Sequence, residues 1–140
     1  MTTTTWSAQA VQTTDAEFRA WGKAISDALT AIGLTKTSDS GQIDWSTVAK
    51  PAGTQASQGY EVWSMADSAQ STCPILVKIE YGSAATATAP QVWLTVGTSS
   101  NGSGTISGTS IQARVALTMS ADTVPRTGYA CAQSGIFWLD

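Results

Sequence analysis

Between Thr14 and Gly33 the apolar residues recur at helical spacing. Phe18, Trp21, Ile25, Ala28, Leu29 and Ile32 fall on one side, and Arg19, Lys23, Ser26, Asp27 and Thr30 lie mainly on the other. Thr14 and Glu17 match the S/T-x-x-E capping box, in which a hydroxyl and a carboxylate each satisfy an orphan amide at a helix start. Asp15 adds favourable charge against the helix dipole. Gly33 supplies a left-handed stop, after which Leu34 can fold back on the last turn. The pattern predicts an amphipathic helix of about five turns. Burial of each large apolar side chain is worth about 1.5–3 kcal/mol before entropy is subtracted, so the stripe must dock. It is expected to cover the chain's own sheet, the alternative being that part of it, with Trp21, meets a neighbouring subunit.

After a polar link at 35–42 the period changes to that of strands. Ile43–Val48 is a short candidate and Tyr60–Met65 a stronger one. In Ile75–Tyr81, residues Ile75, Val77, Ile79 and Tyr81 share one face, with Leu76, Lys78 and Glu80 on the other. Gln91–Val96 alternates likewise, Val92, Leu94 and Val96 lying opposite Trp93. Ile111–Met119 places Ile111, Ala113, Val115, Leu117 and Met119 inside, and Tyr129–Ala132 and Ile136–Leu139 complete the set. Turn-forming residues separate these runs, including KPAGTQASQG at 50–59 and GTSSNGSGTISG at 97–108, the latter read as a flexible connection. Without crossover helices the strands must be joined as antiparallel meanders. The expected fold class is α+β, mainly β: one N-terminal amphipathic helix packed on an antiparallel sheet or small β-sandwich. Residues 1–13, Thr-rich with Trp6 as a large anchor, read as an extended arm, and residues 14–140 as a single helix-plus-β domain.

Composition narrows the function. The chain has 140 residues, the size of one domain. Only 12% of its residues are charged, against about 25% in ordinary globular proteins, and Thr, Ser, Ala and Gly take their place. A net charge of -3 provides little repulsion between copies. The basic residues Arg19, Lys23, Lys36, Lys50, Lys78, Arg114 and Arg126 are scattered, which argues against nucleic acid as a partner. No run approaches the roughly 20 apolar residues that span a bilayer, so no membrane partner is expected. The first residues resemble no secretory signal, so synthesis and folding in a cytoplasm are expected, with Cys73 and Cys131 reduced.

Candidate chemistry is sparse. The absence of His removes the commonest general base, the serine triad and most zinc sites. Cys73 and Cys131 lack a CxxC spacing or an imidazole partner, so they read as small apolar filler. Asp44 with Glu61, or Glu61 with Glu80, could form a glycosidase-type pair only if brought close, and acidic residues on alternating strands more often face outward. The Gly-rich run lacks the GK[ST] of a phosphate loop, and Asn101-Gly102-Ser103 matches a glycosylation sequon without a secretory signal to give it meaning. The chain is therefore expected to be no enzyme and to need no cofactor or metal.

Six Trp residues stand out. Trp6, Trp21, Trp45, Trp63, Trp93 and Trp138 exceed what one small core readily centres, so some are expected at an interface or ligand face. Trp6, Trp21, Trp63 and Trp93 are the candidate interface anchors. The alternative is a carbohydrate- or host-surface-binding β-sandwich module, with Trp63 and Trp93 as a stacking platform for a surface glycan.

The runs GYEVWSMAD at 59–67, PILVKIEYG at 74–82 and PQVWLTVGTSSNGSG at 90–104 resemble small tail- or neck-associated structural proteins of tailed bacteriophages. The likeness covers roughly the middle third of the chain and consists of strand and turn residues. It implies a virion protein present in several copies, with no cofactor and no chemistry, whose partners are copies of itself and other virion structural proteins. A Thr-rich arm fits such a role, because extended termini lace neighbouring subunits together.

Overall fold

A computed structural model describes residues 2–9, 12–65, 68–72, 74–108, 112–118, 125–133 and 136–139. Helix α1 spans Asp15–Ala31, and its start is the expected capping box. The Glu17 amide donates to Thr14 Oγ1 at 3.2 Å while the Thr14 amide donates to Glu17 Oε2 at 3.0 Å. Thr13 adds its own amide and hydroxyl to the same carboxylate, which holds Glu17 below its usual range. Gly33, at φ +96°, turns the chain out of the helix.

The stripe named from the sequence is the core. Phe18, Trp21, Ile25, Ala28, Leu29 and Ile32 are all buried, with Trp21 wholly enclosed by its own chain. They pack on a five-stranded antiparallel sheet formed by β2 (Leu34–Lys36), β3 (Ser57–Met65), β4 (Leu76–Ser83), β5 (Pro90–Gly97) and β8 (Gln112–Thr118), in that spatial order. Between β5 and β8 the chain forms a small hairpin of β6 (Ser99–Ser100) and β7 (Ile106–Ser107). The sheet is thus a meander carrying one inserted hairpin, and the α+β, mainly β class holds.

Register fixes the faces. Trp63 lies opposite Val77, which lies opposite Val96, and Tyr81 lies opposite Val92. Trp63, Val77, Ile79, Tyr81 and Val92 belong to the cluster under α1. The reverse face is also partly closed: Val62 is fully buried and Trp93 is 5% exposed. A Cβ on Gly82 would come within 2.8 Å of the Trp93 ring and 2.1 Å of the Ala56 carbonyl oxygen, so the chain before β3 lies tight over this face.

The remaining strands form a second sheet. β1 (Thr2–Gln9) pairs antiparallel with β9 (Pro125–Gln133), which pairs with β10 (Ile136–Leu139), giving the order β1-β9-β10. The segment expected as an extended arm therefore contains a strand paired within its own chain, and α1 lies against it. Gln12 is buried, and its amide donates to the Thr88 carbonyl at 2.9 Å, tying the chain down before the helix.

Two local expectations are corrected. Ile43–Val48 is a turn and not a strand: Asp44 Oδ1 accepts from the Ser46 amide at 2.8 Å, and the Val48 amide donates to the Asp44 carbonyl. Arg19 straps that turn to the helix by donating to the carbonyls of Val48 (2.6 Å) and Thr47 (2.9 Å). The Gly-rich run, read as a flexible connection, is the β6–β7 hairpin with its tip fastened to the 37–42 loop. Asp39 accepts from the Thr37 hydroxyl (2.7 Å), the Gly104 amide (2.9 Å) and the Ser100 hydroxyl, and the Ser40 amide donates to the Gly102 carbonyl. Ile111, Met119 and Cys73 lie outside the described residues, as does the placement of the Cys131 side chain.

Candidate functional site

The densest polar constellation among the described residues surrounds Glu61. On β3, Glu61 has the same parity as Trp63 and Met65, so the pleat turns it toward the helix, where it is fully buried. Four side chains from four parts of the chain converge on its carboxylate. Oε1 accepts from Ser26 Oγ of α1 at 2.9 Å, from Lys36 Nζ of β2 at 2.9 Å and from Trp45 Nε1 of the 44–47 turn at 3.1 Å. Oε2 accepts from the Tyr81 hydroxyl of β4 at 2.6 Å. Lys36 also supplies the neutralising charge, with its side chain about one third exposed and so still partly hydrated.

Aromatic rings wall this cluster. Tyr81 meets Trp45 edge-on at 4.8 Å and Trp21 edge-on at 5.9 Å, and Phe18 lies 5.7 Å from Trp21 and 5.8 Å from Trp45 between ring centroids. Such edge-to-face contacts contribute roughly 0.5–1.5 kcal/mol each beyond area burial. Burial first, then the Glu61 charge and the hydrogen bond to it, push the Tyr81 hydroxyl well above its ordinary range. Tyr81 is thereby fixed as a donor.

This arrangement offers little to a substrate. Glu61 has no exposed surface and both its oxygens accept hydrogen bonds, so it lacks the access that a general base needs. Its chemical value is conformational: a charged acceptor that only the correct docking of α1, β2, β4 and the 44–47 turn can satisfy.

The carboxylate pairs considered from sequence do not form. Glu61 lies opposite Ile79, and Tyr60 opposite Glu80, so Glu61 and Glu80 project from opposite faces of the sheet. Glu80 approaches Lys78 at 3.8 Å, and Lys78 stands over the Tyr60 ring at 4.8 Å. Asp44 is spent on its own turn, where the Ser46 hydroxyl and amide hold its carboxyl below the usual range. Among the described residues no group of three His, Cys, Asp or Glu side chains could hold a metal ion.

The candidate interface tryptophans are placed differently from the expectation. Trp21, Trp63 and Trp93 are 0%, 2% and 5% exposed in the isolated chain, so they are core rings and not surface anchors. The same burial removes Trp63 and Trp93 as a stacking platform for sugars. The physical reason is that Trp21 and Trp63 lie in the core between α1 and the sheet, while Trp93 is buried on the partly closed reverse face beside Gly82. Trp63 Nε1 has no hydrogen-bond partner among the described residues. Trp6 lies on β1, with the placement of its ring outside what is described. Trp45, not singled out as a site residue, is the ring that reaches the buried carboxylate.

The surface feature missed from the sequence is Tyr129, a large apolar side chain 57% exposed in the middle strand of the terminal sheet. It lies opposite Thr5, and Thr5 and Thr127 are exposed as well. Alternation in β9 could have flagged it, had its partner strand at the other end of the chain been recognised. No family model, curated protein or solved structure matches this chain.

Proposed function

We propose that this chain is a non-catalytic structural component of a phage virion, in the tail, neck or baseplate region, assembling by packing against copies of itself and other virion proteins. The observation that carries the assembly reading is Tyr129 standing exposed on the central strand of a sheet built from both ends of the chain. A central strand normally buries at least one large side chain against something, and aromatic residues are the usual anchors of protein interfaces. The low charge supports the same reading, since little electrostatic work opposes contact between copies. The complete burial of Glu61 supports a role without chemistry. The phage setting rests on the likeness of residues 59–67, 74–82 and 90–104 to tail- and neck-associated proteins.

Light scattering on the full chain over a range of concentrations tests the reading. The expected result is a mass that rises with concentration above that of one chain, and a return toward one chain in Tyr129→Ser with unchanged circular dichroism. A wild-type chain that stays monomeric throughout, or a Tyr129→Ser chain that assembles as before, overturns it.

A further inference from the structure

The run Asn101-Gly102-Ser103 forms the tip of the β6–β7 hairpin, and all three residues are exposed. In an asparagine-glycine pair the glycine nitrogen can approach the side-chain amide carbon of the asparagine, because glycine has no Cβ to crowd it. At Gly102, where φ is +80°, an added Cβ would meet nothing within 4 Å, so no neighbouring group closes the site.

Two sets of hydrogen bonds meet on this pair. Asn101 Oδ1 accepts from the Ser103 amide at 2.9 Å, the Ser103 hydroxyl at 3.0 Å and the Thr105 amide at 3.1 Å. Two of these donors are backbone N–H groups, which only an acceptor can satisfy, so the oxygen of the side-chain amide sits among them and its nitrogen does not. The Gly102 amide, for its part, donates to Ser100 Oγ at 3.2 Å, and Ser100 Oγ donates in turn to Asp39 Oδ2. With its own proton committed to a carboxylate, Ser100 presents a lone pair to the Gly102 N–H. The frame is held from both sides. The Gly102 carbonyl accepts from the Ser40 amide at 2.8 Å and the Ser40 hydroxyl at 3.2 Å, and the Asn101 amide donates to the Thr105 carbonyl at 3.1 Å.

We propose that Asn101 is a self-modification site, at which the Gly102 backbone nitrogen attacks Asn101 Cγ and closes a succinimide ring within the folded chain. The bond from the Gly102 nitrogen to Cγ forms and the Cγ–Nδ2 bond breaks. The Gly102 amide proton passes to Ser100 Oγ as the Ser100 proton moves to Asp39, a general-base relay. Nδ2 takes up one proton and leaves as ammonia, which restores the relay; nothing is oxidised or reduced. Negative charge gathers on Oδ1 as the nitrogen adds. Oδ1 moves little when Cγ becomes tetrahedral, so its three donors at 2.9–3.1 Å serve as an oxyanion hole already in place. Water then opens the ring. Addition at Cγ leaves an aspartate, and addition at the Asn101 main-chain carbonyl leaves an isoaspartyl link that runs through the side chain. The second product lengthens the main chain by one carbon just before Gly102, which displaces the carbonyl that Ser40 holds. The reaction is thus a one-way release of the hairpin tip from the 37–42 loop, independent of whether the chain assembles.

The opposite effect of the same hydrogen bonds would be to lock the amide at rest, and the two are told apart by rate. The full chain is incubated at neutral pH in native buffer and, in parallel, denatured in guanidinium chloride, and Asn101 conversion is followed by peptide mass spectrometry and ammonia release. The expected result is conversion about tenfold or more faster in the folded chain. Ser100→Ala, with its fold checked by circular dichroism, should lose that advantage by about tenfold or more. Ser103→Ala, at the exposed tip, removes the hydroxyl donor alone and should slow conversion by a smaller factor. Conversion in the folded chain that is equal to or slower than in denaturant overturns the proposal without recourse to any variant. A folded Ser100→Ala chain that converts at the native rate overturns the relay, and with it the proposal; if that variant does not fold, an unchanged rate in Ser103→Ala overturns the oxyanion hole in the same way.

Discussion

Replacing Tyr81 by Phe removes one oxygen atom from the buried polar cluster around Glu61. The ring contacts with Trp21 and Trp45 are unaltered, so the change isolates the hydroxyl. That hydroxyl donates at 2.6 Å to Glu61 Oε2, the short distance of a charge-assisted bond. A hydrogen bond to a charged group contributes about 1.5–3 kcal/mol. The structure places the loss toward the top of that range, because Ser26, Lys36 and Trp45 all donate to Oε1 and leave Oε2 dependent on Tyr81. The expected destabilisation is about 3 kcal/mol. Urea unfolding followed by circular dichroism and tryptophan fluorescence should show a lower midpoint with an unchanged slope. The pH dependence gives a second readout. Tyr81 in the folded chain titrates above its unfolded value of about 10, so its contribution is intact below that pH and is lost as the pH rises through the folded value. Tyr81→Phe should therefore show a shallower alkaline decline than the native chain. A loss under about 0.5 kcal/mol, the size expected of an ordinary surface substitution, with an unaltered alkaline profile, would refute the view of this cluster as a structural knot.

Two other substitutions probe the packing around the same frame. Gly22→Ala improves helix propensity by about 1 kcal/mol, yet its Cβ would fall 1.9 Å from the Trp45 ring, displacing the indole that donates to Glu61. Overpacking and the lost bond should prevail, for a net destabilisation of about 1–3 kcal/mol by the same urea assay; a stabilised variant would show that Trp45 is not seated there. Asp39→Ala should speed amide exchange across 99–107 while leaving the global unfolding midpoint nearly unchanged, since Asp39 fastens one hairpin to one loop. For Asp39, burial works to raise the carboxyl, but the hydrogen bonds from Ser100, Thr37 and Gly104 outweigh it and hold the group below its usual range. The clasp is thus intact above about pH 4, near the unfolded value, and loosens as the pH falls through the lower folded value, a trend that exchange measured at decreasing pH should show.

Legibility in the sequence followed the range of the forces involved. The helix was readable because its cap, stripe and stop are local: Thr14 meets Glu17 three residues away, and Gly33 ends what Thr14 begins. Strands β3, β4 and β5 were readable because two-residue alternation is local too. Ile43–Val48 misled because its apolar residues are summoned by distant groups. Trp45 goes to Glu61, and Val48 is held by Arg19 from the helix. The hairpin of 97–108 looked loose because its fastening, Asp39, lies some sixty residues earlier. The first strand looked like an arm because a run of Thr shows no alternation and its partner stands at the far end of the chain. Glu61 carried a usable signal in its parity with Trp63 and Met65, but the general rule that strand carboxylates face water outweighed it. Trp21 lies on the stripe expected to cover the chain's own sheet, but the burial of Trp93 was not readable, because sequence does not reveal that the reverse face of a sheet is partly closed.

Amide hydrogen exchange of the full chain, measured at low and at high protein concentration, probes the account's main thesis most closely. Packing through the terminal sheet predicts that protection of Thr2–Gln9 and Pro125–Gln133 increases with concentration while protection of Ser57–Met65 and Leu76–Ser83 stays constant. Exchange that is the same throughout the chain at both concentrations would contradict it.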